Sequence, residues 1–250
     1  MKGDATGLED VLAGLLTRRS VSPKRLTGPA PDRAELGLMV QAALRAPDHG
    51  GLHPWRIVEF RAAERPLLAG LFEQEKLRRD PLASPSDRAK AREHATRPPT
   101  LLGFLFCPQP RTQVPPREQM LAAGAALGNL LNAAHQLGYG ASILSGERCF
   151  DPVLLRQLGL GADEVLAGFI SIGTVREAPP PAKPQASDTV WSCWTPPLEA
   201  QRPMADAPPA EPPSGDPGLA TEGSACRPCV RVRPLVGDGQ VREHVQVAKK

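Results

Sequence analysis

The chain has 250 residues, 41% hydrophobic and 23% charged, which suits a globular protein of one large domain or two small ones. Lys and Arg total 30 against 27 Asp and Glu, so the formal charge is only +3, too balanced to point to nucleic acid or an anionic membrane as the main partner. No run of about 18 apolar residues is present, Met1–Asp10 lacks a signal-peptide pattern, and the five cysteines are odd in number and irregularly spaced. These features predict a cytoplasmic protein with no disulfide framework.

In chain order, Thr6-Gly-Leu-Glu9 reads as a capping box. Leu8, Val11, Leu12, Leu15 and Leu16 follow at helical spacing on one face, and the helix is expected to end near Arg18-Arg19-Ser20. Asp32-x-x-Glu35 starts a second helix predicted to bury Leu36, Met39, Val40, Ala43 and Leu44, with Pro47 stopping it. A loop, Pro47–Pro54, leads into a predicted strand at Trp55–Phe60. Residues 63–79 and 84–96 are charged and periodic, as in partly exposed helices. Thr100–Cys107 is nearly all apolar, as a strand covered on both faces would be.

A long helix is predicted over Glu118–Leu137. Its run of Ala and Gly at 122–126 and 128 lets another backbone approach closely, which suits a central helix at a subunit interface. Tyr139–Leu144 reads as a strand. Asp151-Pro152 is a helix start with Asp as N-cap and Pro at the first helical position. Val165–Gly173 is the last core strand. Helices and strands mix without regular βαβ alternation, so an α+β layer fold is expected.

The composition changes near residue 195. Fourteen of the 29 prolines lie from Pro179 onward, and no aromatic follows Trp194. Residues 1–195 are therefore expected to form the folded domain. Residues 196–250 are expected to be a proline-rich disordered tail, unable to offset the entropy of ordering. Its Cys226-x-x-Cys229 supplies at most two zinc ligands, so no metal site is expected.

There is no P-loop, no HExxH and no Gly-x-Ser-x-Gly elbow. Gly138-x-Gly140-x-x-Ile143 lacks the third glycine of a dinucleotide fingerprint and follows a helix rather than a strand. Arg18-Arg19-Ser20 offers two guanidiniums and a hydroxyl that suit a phosphate, or the arginines merely complement a helix dipole. Arg45–Trp55 packs a cation, an acid, two imidazoles, two glycines and an indole into eleven residues, a ligand-facing loop or a glycine-rich turn before a strand. Glu93-His94 and His135 have no partner at metal spacing and are expected to be surface or core histidines.

In combination, LLTRRSVS (15–22), AALRAPDHGGLHPWRIVEF (42–60), REQMLAAGAALGNLLNAAHQLGYGASILSG (117–146) and VLAGFISIGT (165–174), in that order, resemble the nitroreductase family of flavoproteins, in particular its short NAD(P)H nitroreductases. The resemblance covers roughly residues 8–195. It implies an α+β fold, with a mostly antiparallel sheet flanked by helices, in an intertwined homodimer with FMN at the subunit interface. By position, Arg18, Arg19 and Ser20 would hold the FMN phosphate, ribityl chain and pyrimidine edge, with Arg19 as the cation beside N1–O2. Arg45, Pro47, Asp48 and His49 would meet the flavin partly from the other subunit, and Ile143, Leu144 and Ser145 would lie beside it.

Ala133, Ala134, His135, Gln136, Leu137 and Gly138 match a segment assigned to NADH or NADPH. The resemblance further implies that hydride passes from NAD(P)H to the flavin and then to a nitroaromatic, quinone or similar small acceptor by a ping-pong mechanism. No side chain acts as a nucleophile. Two departures stand out: Ile143-Leu144 replaces the Trp-Arg of some relatives, and only Arg176 or Lys183 is available for the C-terminal basic pair of larger ones. A non-catalytic flavin-binding or partner-docking protein on the same fold is the alternative.

Overall fold

The computed structural model describes residues 12–110, 113–181 and 190–194. The chain divides into two units between Ala186 and Ser187; the short described stretch of the second, residues 190–194, contains no helix or strand. The first-helix capping box, most of the expected tail and its Cys226/Cys229 pair lie outside the described residues.

The elements of the first unit follow in order. Residues 12–16 are helical (α1), then come β1 (Leu26–Thr27), α2 (Arg33–Ala43), β2 (Trp55–Glu59), α3 (Arg65–Arg79) and α4 (Pro85–Thr96). After these come β3 (Thr100–Phe106), α5 (Pro116–Gln136), β4 (Tyr139–Leu144), α6 (Pro152–Gln157) and β5 (Val165–Val175). Local chemistry accounts for several boundaries. Asp32 and Glu35 form the predicted capping box, each side chain accepting from the other's backbone N–H at 2.8 Å. Asp151 caps α6 through Leu154 N, with Pro152 at the first helical position.

The named strands all pair antiparallel, in the lateral order β2–β3–β5–β4. β1 pairs with the end of β5, in line with β3: both β4 and β1 bond Thr174, so they must occupy opposite edges of β5. Every residue of β3 is buried, as expected for a strand covered on both faces. One face packs under α2 and α5 through Met39, Ala43, Leu130, Phe104 and Ile172. The other packs under α3, α4 and α6 through Phe72, Ala95, Leu101, Leu154 and Phe169.

One packing expectation, on α2, needs correction, and α1 shows the same feature. On α2, Met39 and Ala43 reach the sheet, but Val40 and Leu44 turn outward beside an open groove against β2. On α1, Leu12, Leu15 and Leu16 are exposed in the single chain. In both cases the apolar stripe is present, but it is wider than the surface that the chain itself covers. The small residues of α5 also divide: Ala122, Ala123 and Ala126 are buried inward, while Gly124 is exposed beside Met120 and Leu121.

Candidate functional site

α1 ends at Leu16, short of the two arginines. Thr17 closes it by donating from Oγ1 to Ala13 O at 2.6 Å, and its hydroxyl also lies 3.0 Å from His135 Nε2. The chain then runs beside the outer edge of β4. Ser20 forms a parallel bridge to Ala141, and Val21 N–H donates to Ala141 O at 2.9 Å. From there it crosses the α3-side face of the sheet to β1.

Gly140 makes that crossing possible. A Cβ there would stand 2.7 Å from Val175 Cγ2, 2.8 Å from Leu26 Cδ2 and 3.0 Å from Val21 Cβ. The glycine therefore positions the segment carrying Arg18, Arg19 and Ser20. Both arginines are half-buried, and among the described residues neither guanidinium has a hydrogen-bond or ion-pair partner. Arg19 borders a cleft of about 330 Å³ with His135, Tyr139, Gly140, Val175 and Pro179. Arg18 does not line this cleft, so the structure brings one unpaired cation, Arg19, to it, a group that suits an anionic phosphate. Arg176 does not join them, because its Nη2 donates to Lys24 O at 3.0 Å. Lys183 lies outside the described residues.

A second cleft, of about 400 Å³, opens at the other end of β4. Leu144, Ser145 and Gly146 form one wall, and Phe72, Leu101 and Phe169 give it an apolar, aromatic lining. Its polar groups are Arg79, His94, Glu147, Arg148 and Ser171. Burial and the nearby Arg148 cation pull the His94 imidazole below its ordinary range, while Glu93 pulls the other way. Burial also lowers the Arg148 guanidinium. The Ser142 hydroxyl is buried without a partner and sits opposite Ser171 in the β4–β5 register. A flat, mostly apolar ring with polar edges fits such a cleft.

The structure brings Arg19 and Ser20 to one end of β4, and Leu144 and Ser145 to the other. Ile143 faces the opposite way, into the α2–α5 core. Arg45, Pro47, Asp48 and His49 line neither cleft of the same chain. Arg45 is exposed. Asp48 closes the loop by accepting from His53 N–H at 2.7 Å, around Gly50 and Gly51, whose φ values of 80° and 62° favour glycine. His49 Nδ1 lies 3.0 Å from Glu118 Oε2 on α5.

In the segment matched to the nicotinamide cofactor, Ala134 is fully buried in the core, so its side chain serves packing. His135 and Gly138 reach the Arg19 cleft. His94 and Arg148, which sequence spacing did not single out, line the second cleft. Their only signal is spatial, since α4 and the turn after β4 meet there. No group of three or more metal-ligating side chains is found among the described residues, and no helix among them is long and apolar enough to cross a membrane.

Fold and site together define an α+β protein with an open antiparallel sheet, helices on both faces, and paired clefts along one edge strand. The family described as Nitroreductase matches residues 15–174, and the chain belongs to it. It is 31% identical over 167 residues to the Escherichia coli K12 protein named "Putative NAD(P)H nitroreductase YdjA", covering 66% of this chain and 88% of that one. It is 32% identical over 169 residues to the Haemophilus influenzae protein named "Putative NAD(P)H nitroreductase", covering 67% and 90%.

Among solved structures, the nitroreductase-like family protein from Bacillus cereus aligns over 74% of this chain and 95% of its own, with a TM-score of 0.58 at 22% identity. A Desulfovibrio desulfuricans structure, titled a nitroreductase in complex with FMN, aligns over 74% and 98% with a TM-score of 0.57 at 22% identity. The NADPH:FMN oxidoreductase from Vibrio harveyi complexed with NAD+ aligns over 76% and 79% with a TM-score of 0.57 at 18% identity. These structures share the fold.

Proposed function

We propose that the protein is an FMN-dependent oxidoreductase that draws on NADH or NADPH and reduces a nitroaromatic, quinone or similar small acceptor by a ping-pong mechanism. The observation that carries this reading is the half-buried Arg19 guanidinium, without a counter-ion among the described residues, at the cleft by the head of β4, with an aromatic-lined cleft at the strand's other end. Family membership, relatives named NAD(P)H nitroreductases and a structural neighbour titled as an FMN complex support it. Bound FMN would supply the redox chemistry, accepting a hydride from the nicotinamide and returning the electrons to the acceptor.

The chain's own residues bind and orient. Arg18 and Arg19 hold the phosphate by charge-assisted hydrogen bonds, and Ser20 places them by its bridge to Ala141. Leu144 and Ser145 wall the ring, and the apolar lining excludes water from it. A second copy of the chain supplies Arg45, Pro47, Asp48 and His49, which reach neither cleft of their own subunit. Exposed Met120 and Leu121 on α5, with Leu38, Val40 and Leu44 on α2, give that copy an apolar surface to cover. His135 and Gly138, at the Arg19 cleft, are the part of the nicotinamide segment that would meet the nicotinamide dinucleotide.

The test is FMN titration of the purified chain, followed by anaerobic addition of each nicotinamide nucleotide and then a panel of acceptors. Uptake of FMN, bleaching of its visible band and re-oxidation by acceptor are expected. Arg19→Ala should weaken FMN binding roughly 10- to 100-fold, the worth of one charged hydrogen bond. Bound FMN that no nucleotide bleaches would instead indicate a flavin-binding protein, and unchanged affinity in Arg19→Ala would remove the phosphate assignment.

A further inference from the structure

Thr17, which closes α1, makes two contacts through one hydroxyl. Its Oγ1 lies 2.6 Å from Ala13 O and 3.0 Å from His135 Nε2 on α5, 118 residues further along the chain. Two oxygens so close must share a proton, and a threonine hydroxyl has only one. The hydroxyl therefore donates to Ala13 O, and the contact to α5 runs the other way: His135 Nε2–H donates to Thr17 Oγ1. That proton is present in one neutral tautomer and in the imidazolium alike, so the tie holds in either form. The two helices also approach closely here, since a Cβ on Gly14 would stand 3.0 Å from Gln136 Cγ.

A bond from a threonine back to the carbonyl four residues earlier is an ordinary local contact and by itself marks nothing. The place of Thr17 gives the tie to α5 its meaning. Thr17 immediately precedes Arg18-Arg19. On the far side of that pair, Ser20 bridges to Ala141 and Val21 N–H donates to Ala141 O at 2.9 Å. The two arginines thus sit between fixed points, one on α5 and one on β4. Thr17, Arg19 and His135 line the same cleft. A segment held on both sides before a ligand arrives has less ordering left to undergo on binding.

We propose that Thr17 and His135 are positioning residues, a clasp between the end of α1 and the end of α5 that presets Arg19 for an anionic group in its cleft. The inference rests on the function proposed above, under which that group is the FMN phosphate. The clasp acts through Arg19 and is in place before any nicotinamide nucleotide arrives, so its effect is read on FMN alone. It acts on the phosphate and not on the ring, so a flavin without the phosphate is indifferent to it.

The test is Thr17→Val in the full chain, which removes the hydroxyl and keeps the β-branched shape. FMN, titrated with no nicotinamide nucleotide present, should bind about three- to tenfold more weakly, for the loss of one hydrogen bond. Thr17→Ser should bind FMN as wild type does. Affinity for riboflavin, the same ring without the phosphate, should not change in Thr17→Val, whereas a general loosening of the fold would weaken both ligands. His135→Ala should match Thr17→Val, and the double variant should be no weaker than either, because each breaks the same contact. Unchanged FMN affinity in Thr17→Val, an equal loss for riboflavin, or losses that add in the double variant overturn the inference and leave the proposed function standing. A wild-type chain that takes up no FMN overturns both. If Thr17→Val proves unstable, His135→Ala compared with His135→Gln, which keeps an N–H donor, reads the same contact; equal FMN affinities in those two overturn the inference.

Discussion

The two faces of the sheet meet their helices in different ways. Under α2 and α5, the contact is made by side chains such as Met39, Ala126, Leu130 and Ile172, all fully buried and none polar. Under α3, α4 and α6, an aromatic core around Phe72 and Phe169 sits beside Glu75, Arg79 and Arg148. There, Glu75 Oε2 and Arg148 Nη1 are left without hydrogen bonds. The first face can be close-packed because long α5 needs only to lie flat. The second face gives up packing and full polar pairing where the second cleft opens. Incomplete pairing on one face of an otherwise well-satisfied fold is what a binding site built into a core looks like.

Glu75→Leu breaks this contrast most directly. It leaves the Arg148 guanidinium buried without a counter-charge, while Arg79 keeps its ion pair with Glu147. A loss of about 3–5 kcal/mol is expected from urea unfolding. Adding Arg148→Met should recover much of it, because a well-packed apolar pair can replace a buried ion pair at little cost. If Glu75→Leu alone costs under about 1 kcal/mol, the polar cluster is solvated and the two faces differ less than the burial of Glu75 implies.

The elements of both faces were legible in the sequence. The capping box at Asp32, the Asp151-Pro152 start and the continuous apolar run of β3 are local signals, and each element forms where its own residues place it. Tyr139–Leu144 coincides with β4 because a glycine and a polar turn bracket a short apolar run. Periodicity finds an apolar stripe but not how much of it the same chain covers, so Val40 and Leu44 were expected inside.

The second cleft was illegible for a stricter reason. Phe72, His94, Arg148 and Ser171 lie on four different elements, and none has a spacing signal toward another. Arg18-Arg19-Ser20 was visible as a phosphate-type cluster. The glycine that positions it was not, because the role of Gly140 depends on Val21, Leu26 and Val175 converging from three directions.

Gly140→Ala sharpens the comparison at the point where the crossing segment passes over the cleft face. The added methyl meets Val21 Cβ, which cannot rotate away, as well as the movable ends of Leu26 and Val175. Overpacking of this kind costs about 1–3 kcal/mol. Because the displaced segment carries Arg19 and Ser20, FMN affinity should fall along with urea stability. A variant with lower stability but wild-type FMN affinity would show that the crossing segment does not set the Arg19 cleft.

The smallest expected effect lies at the far edge of the sheet, where polar pairing is complete. Glu164 accepts from Arg56 at 3.0 and 2.7 Å, from Gly161 N–H at 2.9 Å and from the Cys107 thiol at 3.3 Å. The Arg56 bonds first, then the Gly161 amide, hold its carboxyl down to about 2 from an ordinary 4.5. Burial, then the hydrogen bond to Glu164, push the Cys107 thiol up to about 11, so it stays a neutral donor throughout. Since the folded value is depressed, the carboxylate's contribution is fully present above about 4.5 and is lost as pH falls toward about 2. Arg56 is 45% exposed, so solvent screening limits the contribution to under about 1 kcal/mol. Glu164→Gln should therefore be slightly less stable than wild type near neutrality, with the difference closing across that acid window in urea unfolding at stepped pH. A difference that persists unchanged to the lowest pH would mean that the Gly161 and Cys107 contacts, rather than the charge, hold this edge.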